Sequence, residues 1–268
     1  MKTTFYPGHL GTRLAVHRLG TGRPVILLHG LFSSAQVNWI KYGTAAQLAE
    51  AGFEAIMPDL RAHGQSDAPH DPAAYPEDVL VADALAVVAD LGLTDYDLVG
   101  FSLGGLIAMW FALEHPDRIN RLALLSTVAE RSATERARVI ERADKVRNEG
   151  IASVVSAAED RWFTPAFKAK NPEKVALRLE QLKANDLRSY AAAYRVFAEA
   201  DEGVALNRIR QPTLVMTGEN DIGSNPRMAR RMHEAISDSR LVILPELRHS
   251  VLMEAPDLIA DHLLEFLE

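Results

Sequence analysis

The sequence predicts an α/β protein: a mostly parallel sheet flanked by helices and interrupted by one block of helices. Three observations carry this. Between residues 25 and 127, short runs rich in Val, Ile and Leu alternate with helical segments, the pattern of βαβ units whose strands are buried on both faces. From about residue 130 to residue 203 no convincing strand is found, and that length is too great for a loop in a compact domain. After it the βα alternation resumes.

Taken in order, residues 3–18 alternate weakly around turn glycines Gly8 and Gly11 and read as an antiparallel hairpin at the sheet edge. Strands are expected at 25–28, 54–58, 97–101 and 122–126. Between them Thr44 and Gln47 resemble a capping box, and Gly52 stands where a helix ends. Pro76 is placed to open the next helix and Gly92 to close it. Ser132 with Glu135 forms a second capping box, Gly150 a stop and Asn171-Pro172 a restart, giving some four helices in the interrupting block. Strands at 212–217 and 241–244 and an amphipathic helix at 256–267 complete the pattern. The expected organisation is a core of residues 1–129 and 204–268 with a helical cap, or lid, inserted over 130–203.

The composition narrows the function classes. Of 268 residues, 48% are hydrophobic and 24% charged, and the formal net charge is -7. A nucleic-acid or anionic-membrane surface needs a basic excess, which is missing. The absence of cysteine excludes disulfides, thiolate catalysis and Cys-ligated zinc. No apolar run reaches membrane-spanning length, and residues 1–11 lack the apolar stretch of a signal peptide. The expectation is a cytoplasmic protein acting on a small molecule.

The sharpest motif is Gly100-Phe101-Ser102-Leu103-Gly104. It matches G-x-S-x-G between an expected strand and an expected helix, the context in which a serine is lifted on a strained turn clear of a sheet. Serine is a poor nucleophile unless a base stands beside it. Among nine histidines, His249 follows the last expected strand, where a loop can return over the sheet's C-terminal edge. The base in turn needs a carboxylate to hold its tautomer. Asp221, after strand 212–217, is the choice, with Glu219 and Glu130 as competitors. Backbone N–H groups of Leu103 and Leu31 are the expected oxyanion donors. His29 reads as a buttress of the Leu31 loop rather than a second base. Asp59 and His63 lack a third ligand at metal-binding spacing and read as a locally bonded turn. No metal or organic cofactor is called for.

HGLF, DLRAHGQSD, GFSLGG, TGENDIGSNP and LRHSVLMEAP, in that order, resemble the α/β-hydrolase superfamily over nearly the whole chain. The resemblance implies an eight-stranded, mostly parallel sheet with a helical cap before the acid-bearing strand. Residues 159–167 (EDRWFTPAF) and Met109-Trp110 further resemble 3-oxoadipate enol-lactonases, which open a lactone bearing a free carboxylate, and the cap wording is also similar to that of many esterases. Ser250-Val251-Leu252-Met253 departs from the lactonase pattern and lacks the tryptophan that meta-cleavage carbon–carbon hydrolases carry after the histidine. Epoxide hydrolases and haloalkane dehalogenases have aspartate where Ser102 stands.

The expectation is therefore a serine hydrolase of small carboxylic esters or lactones, working through an acyl-serine. Alternatives on the same residues are carbon–carbon hydrolysis, perhydrolysis or acyl transfer, and, from another class, a non-catalytic receptor on the same fold. Trp162, Phe163 and Phe167 are candidate substrate contacts, with packing of cap on core as the competing role. For a carboxylate on the substrate, Arg161, Lys168, Lys170, Arg188 and Arg195 are the candidate partners.

Overall fold

A computed structural model describes residues 1–200 and 204–268. Its strands are β1 (Lys2–Pro7), β2 (Arg13–Gly20), β3 (Arg23–Leu28), β4 (Phe53–Pro58), β5 (Tyr96–Phe101), β6 (Ile119–Leu125), β7 (Thr213–Gly218) and β8 (Ser239–Leu244). They form one eight-stranded sheet in the order β1-β2-β4-β3-β5-β6-β7-β8. The β1–β2 and β2–β4 pairs are antiparallel, and every pair from β4 onward is parallel. The hairpin expected at the edge is present, with Lys2 opposite Arg18 and Pro7 opposite Arg13.

The strands send alternate side chains to two apolar layers. Ile26 and Leu28 of β3 enter one layer, together with α2 (Val79–Asp90) and α3 (Leu103–Glu114). Val25 and Leu27 enter the other, with α1 (Thr44–Glu50) and α11 (Pro256–Leu267). Covering both faces explains why these strands read as unbroken apolar runs. α9 (Pro226–Ala235) packs beside β7 and β8, and α10 (Val251–Glu254) precedes α11.

The interrupting block holds helices and no strand among its described residues: α4 (Ala133–Glu149), α5 (Val155–Trp162), α6 (Pro165–Lys170), α7 (Pro172–Lys183) and α8 (Leu187–Glu199). These are five α-helices rather than four, because Thr164 caps a separate short helix by accepting the Phe167 N–H at 3.1 Å. Residue 203, where the sequence reading ends the cap, lies outside the described residues. α4 and α8 pack together through Val139, Ala143, Tyr190 and Tyr194.

Three local expectations need correction. Pro76 stands outside α2, whose first residue is Val79 and whose cap position is Asp78. Thr44 is the first helical residue of α1, not its cap. Gly43 takes the cap position at φ 94°, and the Gln47 side chain instead donates to Asp257 at 3.1 Å. Ser126 falls outside β6, because its φ of 44° ends the extended backbone there. The Ser132–Glu135 capping box forms as expected, with Glu135 Oε2 accepting the Ser132 N–H at 2.7 Å.

Candidate active site

Ser102 stands between the end of β5 and the start of α3 at φ 54°, ψ -115°. That is a strained region for a side-chain-bearing residue, and such strain concentrates at functional sites. The turn is tight enough to demand glycine on both sides. A Cβ on Gly100 would lie 2.3 Å from the Gly104 carbonyl oxygen, and one on Gly104 would lie 2.2 Å from the Leu28 carbonyl oxygen. The Ser102 N–H donates to the Leu125 carbonyl at 2.8 Å, and the Thr127 hydroxyl donates to the Ser102 carbonyl at 2.7 Å, so the turn is held from β6 as well.

The loop after β8 brings His249 back over this turn. Its Nε2 is 3.1 Å from Ser102 Oγ, and its Nδ1 is 2.6 Å from Asp221 Oδ2. Asp221 is buried, and its other oxygen accepts the Gly223 and Ser224 N–H groups at 2.9 Å each. Those bonds orient the carboxylate toward Nδ1. The competitors are engaged elsewhere: Glu219 accepts the Glu246 N–H at 2.9 Å, and Glu130 pairs with Arg231 at 3.0 Å. The Ser102, His249 and Asp221 of the sequence reading are thus brought together in one chain of contacts.

The loop after β3 borders the serine, since a Cβ on Gly30 would meet Ser102 Cβ at 3.2 Å. Gly30 N–H donates to Asn38 Oδ1 at 3.0 Å, and Phe32 N–H to His63 Nε2 at 3.1 Å. Leu31 N–H lies between these two anchored amides and meets no acceptor among the described residues, and the same holds for Leu103 N–H at the start of α3.

His29 is fully buried, its Nδ1 against the Gly30 carbonyl at 2.8 Å and its Nε2 accepting the Leu60 N–H at 2.9 Å, and burial lowers its pKa. Asp59 accepts the Ala35 and Gln65 N–H groups at 2.8 Å each and lies 3.1 Å from His17 Nε2. Burial pushes the Asp59 carboxyl up, but these bonds and the His29 field together hold it below its ordinary value. The polar atoms of this turn are spent on backbone and on one another, and no group of three or more His, Cys, Asp or Glu among the described residues is placed to hold a metal ion.

Two cavities meet beside His249, sharing Leu31, Trp162 and His249. The larger, about 130 Å³, runs from Ser102 beneath α4 and α8 and is lined by Val139, Tyr194, Phe197 and Arg161. The smaller, about 40 Å³, lies on the far side of His249 against α7.

A family model described as the alpha/beta hydrolase fold matches residues 23–256. The chain belongs to the α/β-hydrolase family. This hydrolase is 32% identical over 201 residues to 3-oxoadipate enol-lactonase 2 of Acinetobacter baylyi, covering 75% of this chain and 73% of the relative. It is 29% identical to (E)-2-((N-methylformamido)methylene)succinate hydrolase of the same organism, over 93% of this chain and 92% of that one. Among solved structures it resembles the enol-lactonase from Burkholderia xenovorans, with TM-score 0.86, 27% identity and coverage of 98% and 99% of the two chains. It resembles equally well a thermophilic esterase from Thermogutta terrifontis, with TM-score 0.88, 27% identity and coverage of 100% and 98%. Among the described residues no helix is long and apolar enough to cross a membrane.

The three aromatic candidates of this hydrolase separate. Trp162 lines both cavities. Phe163 is fully buried and stacks on Phe167 with ring centroids 5.7 Å apart, and neither lines the two cavities beside His249. Their place is the packing layer, the competing role read from sequence. The cap cations separate too. Arg161 lines the larger cavity, and burial first, then the nearby Arg142, lowers its pKa. Lys168 pairs with Asp160 at 2.7 Å, Arg195 pairs with Asp144 at 3.4 Å and with Glu199, and Lys170 and Arg188 are exposed.

Arg178 is missing from the sequence reading. It is a buried cation on α7, with its Nη2 donating to the Phe32 carbonyl at 2.7 Å. A signal for it exists. Arg178 falls three residues after Val175 and four before Leu182, on the same face as those buried residues. A charge in that register faces the interior, whereas Arg161, Lys168 and Lys170 are candidates by nearness to the aromatic segment, and Arg188 and Arg195 lie further along the cap.

Proposed function

We propose that this α/β hydrolase is a serine hydrolase of small carboxylic esters or lactones. The single observation that supports this reading most is the unbroken chain from Ser102 Oγ through the His249 imidazole to Asp221, at 3.1 Å and 2.6 Å. In this reading His249 Nε2 takes the Ser102 proton as Oγ attacks the scissile carbonyl carbon. Asp221 holds Nδ1–H and stabilises the imidazolium. The tetrahedral oxyanion is bound by the N–H groups of Leu31 and Leu103, both free of other acceptors among the described residues. Collapse returns the proton to the leaving alcohol and leaves an acyl-Ser102. Water, losing its proton to His249, then attacks the acyl carbon and releases the acid. In a lactone the alcohol stays tethered to the acyl group until that second step. No step requires a metal or an organic cofactor.

Residues 130–203 act in this reading as a cap. The Ser250 N–H donates to the Trp162 carbonyl at 3.0 Å, and the Thr164 hydroxyl donates to Glu254 at 2.7 Å, tying the helical block to the loop that carries His249. Substrate position and base position are thereby coupled. The names of the enol-lactonase and succinate-hydrolase relatives favour a small acyl substrate over a lipid.

The experiment is a hydrolysis screen of p-nitrophenyl esters of increasing acyl length beside a lactone panel, run on the wild type and on Ser102→Ala. The wild type turns over short esters or lactones, and Ser102→Ala loses about 10⁴-fold or more in kcat, with a residue from the oxyanion donors and binding. Retention of more than a few per cent of activity in Ser102→Ala contradicts the assignment. A receptor with an unactivated serine turns over nothing in either panel.

A further inference from the structure

The smaller cavity beside His249 is lined by side chains that donate hydrogen bonds and by none that carries negative charge. Ser33, Asn38, Tyr42, Arg178 and Ser250 line it with Trp162 and His249 among apolar side chains, and no Asp or Glu lines it. Arg178 Nη1 and Ser33 Oγ are buried with no hydrogen-bond partner, and both side chains belong to residues only 8% exposed. Asn38 spends its carbonyl oxygen on the Gly30 N–H, which leaves its NH₂ group to the cavity. The Arg178 guanidinium lies 4.8 Å from the centre of the Trp162 ring, which holds it in place without cancelling its charge.

A buried cation without a counter-charge is among the most costly arrangements in a protein interior. Burial lowers the Arg178 pKa to about 10, and the ionisable neighbours that act on it are the phenols of Tyr190 and Tyr42, not carboxylates. A water molecule can fill the space and take the free N–H, but it cannot neutralise the charge. A carboxylate does both, and the planar guanidinium fork suits it. The size agrees. A cavity of about 40 Å³ is more than one water fills and has room for a group the size of a carboxylate.

We propose that this chamber is a carboxylate subsite, in which Arg178 Nη1, Ser33 Oγ and the Asn38 amide bind a free carboxylate carried on a short arm from the scissile carbonyl of the substrate. It rests on the hydrolase reading above and adds the chemical class of the substrate. The chamber opens beside His249 and Leu31, so an anion seated there leaves the reacting carbonyl at Ser102 and the rest of the substrate in the larger cavity. Arg178 also fastens the Phe32 carbonyl, so the side chain that would bind the anion also steadies the loop bearing the Leu31 donor.

The test compares kcat/KM for mono-p-nitrophenyl glutarate, which carries the carboxylate, with that for neutral p-nitrophenyl butyrate. The wild type favours the charged ester. Arg178→Gln lowers the charged-to-neutral ratio by about 30-fold, mostly through KM, as expected for an interaction made in both ground and transition states. Arg178→Lys retains part of the ratio, and Ser33→Ala lowers it several-fold. A ratio unmoved by Arg178→Gln and by Ser33→Ala overturns the subsite while leaving the hydrolase reading intact. If Arg178→Gln does not fold, Ser33→Ala alone decides by the same criterion. Calorimetric titration of Ser102→Ala with glutarate separates the two readings. Binding that Ser33→Ala or Arg178→Gln weakens supports the subsite even where neither ester is hydrolysed, and absence of binding overturns it.

Discussion

His63 Nε2 accepts the N–H of Phe32 at 3.1 Å while its Nδ1 faces the Arg61 carbonyl at 2.7 Å. Donation from Nδ1 and acceptance at Nε2 together require the neutral imidazole. Burial pushes the His63 pKa down to about 3, with the neighbouring His29 acting in the same direction, so the neutral form is the one present at neutral pH. His63, in the turn that follows β4, thus holds the loop that presents Leu31. His63→Ala should lower kcat by about tenfold or more with little change in KM, a fraction of the 10²–10³ lost with a whole oxyanion donor. Steady-state kinetics on short esters checks this, and a change confined to KM would count against it.

The same histidine makes stability depend on pH. Its folded pKa of about 3 lies below the unfolded value of 6.5, so between these limits the unfolded chain binds the proton and the folded chain does not. Stability from this group is fully present above pH 6.5 and falls as pH is lowered toward 3, by up to about 1.4 kcal/mol per pH unit for each such histidine. His29, shifted in the same direction, adds to the slope. Urea unfolding at a series of pH values should show the decline, and His63→Gln should reduce its slope. An identical slope in the variant contradicts the neutral buried imidazole.

Replacement of the acid should be selective. Asp221→Asn should reduce kcat by about 10⁴-fold, because only the Nδ1 partner fixes the tautomer of His249. Glu219→Gln and Glu130→Gln should each stay within about tenfold of wild type, since Glu219 bonds the Glu246 amide and Glu130 pairs with Arg231. Parallel kinetics on the three variants decides, and a crippled Glu219→Gln or Glu130→Gln reverses the assignment.

Much of this was legible in the residues. Buried parallel strands declare themselves as apolar runs, and β3, β4 and β5 begin within one or two residues of their expected starts. The Gly100–Gly104 motif placed the turn because its steric demand is local. What escaped was decided by register in three dimensions. Thr44 and Gln47 have the spacing of a capping box, but Gly43 supplies the cap and Gln47 turns to Asp257, far off in the chain. Phe163 and Phe167 follow Trp162 closely in sequence, yet only Trp162 lines the cavities beside His249, because α5 ends at Trp162, Phe163 is extended at φ -121° and ψ 141°, and Phe167 belongs to the separate helix α6. The helical register of Arg178 signals its burial, but its hydrogen-bond partner, the Phe32 carbonyl 146 residues away, is set by the fold.

The glycine behind the serine tests the packing directly. A Cβ on Gly104 would lie 2.2 Å from the Leu28 carbonyl oxygen and 2.8 Å from that of His29, both backbone atoms that cannot swing aside. Gly104→Ala should therefore force α3 away from β3, at a cost on the order of 3 kcal/mol or more, above the usual range for overpacking by one methyl group. Chemical denaturation measures it. An unchanged midpoint would mean that the helix does not sit this close to the strand.

The central claim is that Ser102 is an activated nucleophile. The most direct measurement is peptide mass spectrometry after treatment with a fluorophosphonate, which reacts with a serine activated by its base. A single phosphonyl adduct is expected, on the peptide containing Ser102, formed rapidly in the wild type and suppressed in His249→Ala, where the imidazole 3.1 Å from Oγ is gone. An unlabelled wild-type protein, or an adduct on another residue, would contradict it.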